Sequence, residues 1–167
     1  MPCLFPALDQ AGPAEQIQMV GQGRPGDFQR FLTALAARSG ALLNTSELGR
    51  DLGLAHTTVR AWLSVLEATG QIFVARPWYR NLGKRLVKHP RVYFLDTGTL
   101  AWLLGVHFPE QALEGMVAGL LFENAVLGAL VRLFAHRGER PPISFWRTSS
   151  GHEVDFVIKP RGRPPLA

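Results

Sequence analysis

Glu123 interrupts an otherwise apolar helical stripe, three residues after Leu120 and four before Leu127. Asp155 interrupts an apolar strand-like run, Val154-Asp155-Phe156-Val157-Ile158. Glu153 shares its face by the two-residue alternation of a strand. A carboxylate on a buried face is costly unless something neutralises it. A helix carboxylate facing a strand carboxylate is how divalent-metal sites for phosphodiester cleavage begin, which makes Glu123 and Asp155 candidate catalytic and metal-ligating residues. The plainer alternative has Glu153 and Asp155 on the wet face of a hairpin, with Glu123 paired to Arg147 or Arg132. Of the two, the alternative suits these residues better.

A second group of residues suits a polyanion. The formal net charge is +5, and the stretch from His56 to Val92 holds seven cations (Arg60, Arg76, Arg80, Lys84, Arg85, Lys88, Arg91) against one acid, Glu67. The remainder is therefore close to neutral, so the positive charge is a patch. His56, Thr57, Thr58 and Arg60 are the short polar and cationic side chains that reach base edges from the first turns of a recognition helix. Arg80, Asn81, Lys84, Arg85 and Lys88 suit phosphate oxygens. Trp78 and Tyr79 suit packing beneath them.

The elements that must hold these groups follow from spacing and punctuation. Phe28, Phe31, Leu32, Leu35 and Ala36 share one face of a helix opened by Asp27 and ended by Gly40. Asn44, with Glu47 three residues on, resembles a capping box for a helix over 45–52. Gly53 stops that helix, and small Gly49 lets the next one cross closely. In the following helix Val59, Trp62, Leu63 and Leu66 form the buried stripe, leaving His56, Thr57, Thr58, Arg60 and Ser64 on the other side. Its N-cap, Ala55, is a weak one. Ile72-Phe73-Val74 and Arg91 to Leu95 read as two strands around a long cationic turn, a basic wing that includes Arg91. Asp96 caps a short helix ending at Gly105.

A long helix from about Gly115 to His136 follows, with Met116, Leu120, Leu127, Leu130 and Phe134 on its stripe. Ile143 to Arg147 and Glu153 to Ile158 then form a hairpin about Ser149-Ser150-Gly151. Helix, tight turn, helix and basic hairpin is the order that sets one helix in a DNA groove and grips the phosphates beside it.

The whole chain sets bounds. Its 167 residues, 47% apolar, suit one ordinary domain or two small ones. One cysteine, Cys3, leaves no internal disulfide and suits a reducing cytoplasm. The segment Met1 to Gln10 has no signal-peptide pattern. Met116 to Phe134 is a poor membrane span because it holds Glu123, Asn124 and Arg132. The expectation is a cytoplasmic protein with no membrane partner. Gly21-Gln22-Gly23-Arg24-Pro25-Gly26 fits G-x-G-x-x-G but lacks the βαβ unit a dinucleotide site needs. No phosphate-loop motif occurs, so ATP hydrolysis has no sequence basis.

Phe31-Leu32, Ala36-Ala37-Arg38-Ser39-Gly40 and Val59 to Glu67 resemble the C-terminal region of bacterial and archaeal AAA-type ATPases. So do Asn81 to Lys88, Asp96-Thr97-Gly98, Phe122-Glu123-Asn124 and Gly151 to Phe156. The resemblance runs from about residue 27 to 158. It implies a nucleotide-binding module upstream, a winged helix, and then a restriction-endonuclease-like domain of unassigned function. It also implies that Glu123 and Asp155 match the first two acids of a PD-(D/E)XK-type core. The ATPase module and the downstream Glu-x-Lys strand are missing, and Lys159 cannot stand in because residue 157 is Val. The resemblance thus implies a fragment or a degenerate relative. Arg161-Gly162-Arg163-Pro164 would be the turn into the missing strand rather than a minor-groove hook.

The sequence therefore predicts an α+β protein. Residues 1–26 are a linker or leader, 27–105 a winged helix-turn-helix, 106–159 an incomplete endonuclease-like α-β-β unit, and 160–167 a basic disordered tail. The expected function is non-enzymatic DNA binding, mainly through phosphates. An interaction domain that docks an ATPase module or a second copy of itself is the alternative, and an inactive nuclease remnant comes third. No cofactor is expected, and Mg²⁺ only if the nuclease-like site were complete.

Overall fold

The computed structural model describes residues 25–78, 89–148, 150–159 and 166. The expected wing residues Arg80, Asn81, Lys84, Arg85 and Lys88, the Gly21–Gly26 motif up to Arg24, and the Arg-Gly-Arg turn lie outside the described residues. The chain is α+β. Helix α1 (Pro25–Ala36) begins two residues before Asp27. It brings Phe28 and Phe31 edge-on to Trp62, with ring centroids 5.1 and 5.2 Å away, an arrangement that adds to the burial of the rings.

Helix α2 (Thr45–Leu52) starts where Asn44 Oδ1 accepts from the backbone N–H of Ser46 and Glu47, at 3.1 and 3.2 Å. It stops at Gly53, whose φ of 68° is left-handed. Gly49 carries the close crossing. A Cβ there would stand 3.0 Å from Leu54 O and 3.6 Å from Val59 Cγ2. Helix α3 (His56–Ala68) has no side-chain cap at Ala55, and buries Val59, Trp62, Leu63 and Leu66 as their spacing requires.

Strands β1 (Ile72–Pro77) and β2 (Arg91–Phe94) pair antiparallel, Ile72 opposite Phe94 and Ala75 opposite Arg91. Asp96 Oδ1 accepts from Thr99 N at 3.0 Å and so caps helix α4 (Thr97–Leu103). A single turn, α5 (Pro109–Ala112), leads into the long α6 (Gly115–Ala135). Strands β3 (Ile143–Arg147) and β4 (Glu153–Ile158) form the expected hairpin, with an irregular register between Ser144 and Trp146. Leu166 adds an antiparallel bridge to Ile158.

The strands join one sheet in the order β2-β1-β3-β4. The joint is parallel: the C-terminal end of β1 pairs with β3, Arg76 opposite Ser144 and Pro77 opposite Phe145. The β1–β2 ribbon is consequently covered on both faces. Ile72, Val74, Val92 and Phe94 enter a core with the helices α1, α2, α3 and α4, including Phe31, Leu48, Trp62 and Leu100. Their alternates Phe73, Ala75 and Tyr93 enter a second core with Leu127 of α6 and with Ile143 and Phe145 of β3. Strands buried on both faces read as continuous apolar runs, as this ribbon does.

Helix α6 deviates from its expected stripe. Leu127 is fully buried and Leu120, Leu130 and Phe134 pack partly against the two cores, but Met116 is 93% exposed. The inward face is centred instead on Asn124, Leu127 and Gly128. Gly128 permits a close approach: a Cβ would meet Leu95 O at 3.1 Å. By length and mean hydropathy (1.7), α6 is the one helix among the described residues that could cross a membrane, and 17% of that stretch is buried here.

Candidate functional site

The acids singled out by sequence do converge, around an arginine. Arg91, 4% exposed, projects from β2. It donates from Nη1 to Asp155 Oδ1 at 2.9 Å and from Nη2 to Glu153 Oε2 at 2.7 Å. Its Nη1 also lies 3.8 Å from Glu123 Oε1. The guanidinium passes over Phe145, 4.9 Å from the ring centroid, a cation–π contact in a partly desolvated place. β2 and β4 are the two edges of the sheet, so this one side chain ties the edges together. Ala75, opposite Arg91, leaves the space above β1 free of bulk.

Arg91 is thus a correction to the basic wing, where its charge had placed it. It is buried and committed to acids more than sixty residues away. The ion pair expected for Glu123 with Arg147 or Arg132 is also not the one formed. Arg147 pairs instead with Glu153, at 3.5 Å, and Arg132 Nη1 donates to Leu95 O at 3.3 Å. Glu123 Oε1 accepts from Tyr93 Oη at 2.7 Å. Its other oxygen lies against Gly40, where a Cβ would stand at 3.1 Å.

The electrostatics follow the geometry. Burial raises the Glu123 carboxyl above its usual range; the Tyr93 hydrogen bond opposes this, and the negative charge of Asp155 adds to it. Burial also lifts the Tyr93 phenol well above its ordinary value, and the Glu123 bond and charge lift it further. For Arg91, burial acts against the charged form but is outweighed by hydrogen bonds to Tyr93 and Asp155 and by the charge of Glu153, so it stays protonated.

A divalent cation does not fit this arrangement. The space between the acids is filled by the Arg91 guanidinium, and Asp155, Glu153 and Glu123 each spend an oxygen on Arg91 or Tyr93. Among the described residues no group of three or more His, Cys, Asp or Glu could hold a metal.

A residue named in the sequence but given no role there holds the same region. Asn124 is fully buried beside Glu123. Its Oδ1 accepts from Ser39 Oγ at 2.8 Å and from Phe94 N at 2.9 Å, and its Nδ2 donates to Leu120 O at 2.7 Å. It therefore fastens α6 to the end of β2 and to the segment after α1. The available signal was an amide within an apolar helical stretch, which is costly unless bonded.

The candidate reading residues lie at the start of α3. His56 and Thr57 are exposed, Thr58 and Arg60 half-buried. His56 Nε2 lies 2.9 Å from Thr45 Oγ1, a bond that braces α2 against α3. Ser64 departs from expectation, for its hydroxyl is buried rather than turned to solvent. Glu67, the lone acid of the basic stretch, is raised by burial, with Arg76 acting in the opposite sense.

Two helical layers on a shared mixed sheet, with an acid cluster gathered about a buried arginine, define an α+β protein of two conjoined cores. Residues 15–110 match the domain of unknown function DUF8612, and the chain belongs to that family. Residues 118–165 match a second domain of unknown function, DUF4143, which is commonly found in AAA-ATPase-associated proteins. The uncharacterized proteins Mb2031c of Mycobacterium bovis and Rv2008c of Mycobacterium tuberculosis are each 35% identical to it over 137 residues, which is 82% of this chain. The chain spans 30% of the length of these relatives. No solved structure matches it.

Proposed function

We propose that this chain is a non-enzymatic DNA-binding module of winged-helix type that holds the duplex mainly through its phosphates. The observation that carries the reading is the mounting of α3. Its inner face is locked by Val59, Trp62, Leu63 and Leu66, while its first turn, with His56 and Thr57, faces solvent just past the tight Gly53 turn. That is the presentation a recognition helix needs, with its N-terminal residues able to reach a groove.

The sequence supplies the second half. Residues 79–89 contain Arg80, Lys84, Arg85 and Lys88 and no acid, and long cations of this kind neutralise phosphates. With Arg91 withdrawn into the acid cluster, the phosphate contacts rest on these four. The same cluster supports a non-enzymatic reading, because Arg91 satisfies the carboxylates that cleavage chemistry would require free.

Fluorescence anisotropy of the full chain with a labelled duplex of mixed sequence tests the reading. Saturable binding that weakens as salt rises is expected. Absence of binding at low ionic strength contradicts it.

A further inference from the structure

Helix α6 turns a second apolar face outward. Opposite the buried Asn124, Leu127 and Gly128, the helical spacing 4-3-4-3-4 gathers Gly115, Gly119, Phe122, Val126, Ala129 and Leu133 into one stripe. Val126 is half-buried and the others are exposed, Phe122 to 71%. Between Gly115 and Ala135 the charged residues are Glu123 and Arg132. Glu123 is turned to Tyr93, and Arg132 reaches Leu95. The stripe itself therefore carries no charge. Beside it a groove of about 510 Å³ runs between α6 and α4–α5, lined by Ala101, Leu113, Leu121 and Phe122 among others.

This 4-3 spacing is the seam of a helix pair, where side chains of one helix enter gaps in the other. The order of sizes along it is self-complementary. When two α6 helices lie antiparallel about a two-fold axis at Val126, Gly119 faces Leu133 of the second copy and Phe122 faces its Ala129. Val126 meets its own counterpart. Each large side chain then meets a small one, as close packing demands, and the antiparallel arrangement keeps the two Arg132 side chains at opposite ends. Beside the seam Leu113, in the same groove as Phe122, and Met116, on the same helix, add exposed apolar surface. A standard interface buries about 800 Å² on each partner, which the stripe supplies together with the groove beside it and the apolar side chains around it.

We infer that the outer face of α6 is a two-fold interface between two copies of this chain. A closed symmetric pair of this kind uses the same patch on both subunits. The small–large alternation favours a second copy over a lipid surface, since a membrane places no demand on the order of side-chain sizes.

Light scattering of the full chain across concentration is the first test. A mass of twice 18.4 kDa is expected, with Phe122→Glu weakening association by about 100-fold or more while its circular dichroism and melting stay native. The second test reads register. In a Cys3→Ser background, Val126→Cys is expected to oxidise to a covalent dimer, and Arg50→Cys, exposed on α2, is expected not to. A monomer at every concentration would overturn the inference and leave the face to a different partner. So would a dimer indifferent to Phe122→Glu, equal cross-linking at both cysteines, or co-sedimentation with phosphatidylcholine vesicles without dimerisation.

Discussion

Arg91 Nη1 lies 2.9 Å from Asp155 Oδ1, joining β2 at one edge of the sheet to β4 at the other. The pair spans the two family-matched stretches of the chain, 15–110 and 118–165, and makes one electrostatic unit of them. Breaking a buried pair from one side costs about 3–5 kcal/mol. Asp155 and Glu153 keep about half their side-chain surface wet, which lowers that figure. Arg91→Met is therefore expected to cost about 2–3 kcal/mol in urea unfolding. Arg91→Lys is expected to recover part of this, because an ammonium cannot make two diverging bonds in the same plane. A neutral Arg91→Met would show that the cluster contributes nothing to stability.

Asn124 bonds Ser39 Oγ, Phe94 N and Leu120 O, and its removal leaves Phe94 N without its acceptor while Ser39 Oγ keeps Val92 O at 3.4 Å. An unpaired buried polar group costs about 1–3 kcal/mol. Asn124→Ala is expected to destabilise the chain by about 2–4 kcal/mol. Amide hydrogen exchange is expected to speed up at Phe94, where the proton loses its acceptor.

Glu123 and Tyr93 give a pH signature of definite sign. The Glu123 carboxyl is raised in the folded chain, so the folded state holds its proton more tightly than the unfolded state does. The stabilisation is complete below the unfolded value of 4.5 and is lost as pH rises through the folded value. Glu123→Gln is expected to remove that decline, seen as a flatter stability curve just above the unfolded value. Tyr93 is raised as well. Of the two tyrosines, Tyr79→Phe leaves Tyr93 as the sole reporter, and its phenolate absorbance is expected to be absent at about pH 11, above the ordinary value of about 10. Phenolate formation at about pH 10 in the folded chain would contradict the burial of Tyr93 against Glu123.

The elements that could be read from sequence were those with local causes. Asn44, Gly53 and Asp96 marked helix ends through caps and turns that involve a few neighbouring residues, and the Val59-Trp62-Leu63-Leu66 stripe showed which side of α3 is inside. The site was legible in part: Glu123, Glu153 and Asp155 were suspected because acids were set among apolar neighbours. Their partner was not found. Arg91 looked like one more cation of a basic hairpin, and nothing local records that acids more than sixty residues on would meet it. The unbroken apolar runs at Ile72–Ala75 and Val92–Leu95 did hold a clue, since a ribbon buried on both faces cannot also be a free-standing wing along its strands.

Base preference is a separate matter from affinity. Thr57→Ala and Arg60→Ala are expected to change the ranking of duplex sequences in competition binding if α3 reads base edges, at about 1–3 kcal/mol for a good contact. Equal losses on every sequence would reduce α3 to a phosphate clamp.

The most direct test of the DNA-binding account is the salt dependence of duplex affinity with and without Lys84, Arg85 and Lys88. Each phosphate neutralised contributes about 0.9 to the slope of log K against log salt. The account predicts that changing all three to Ala weakens binding and makes the slope shallower by about 3. An unchanged slope would contradict it.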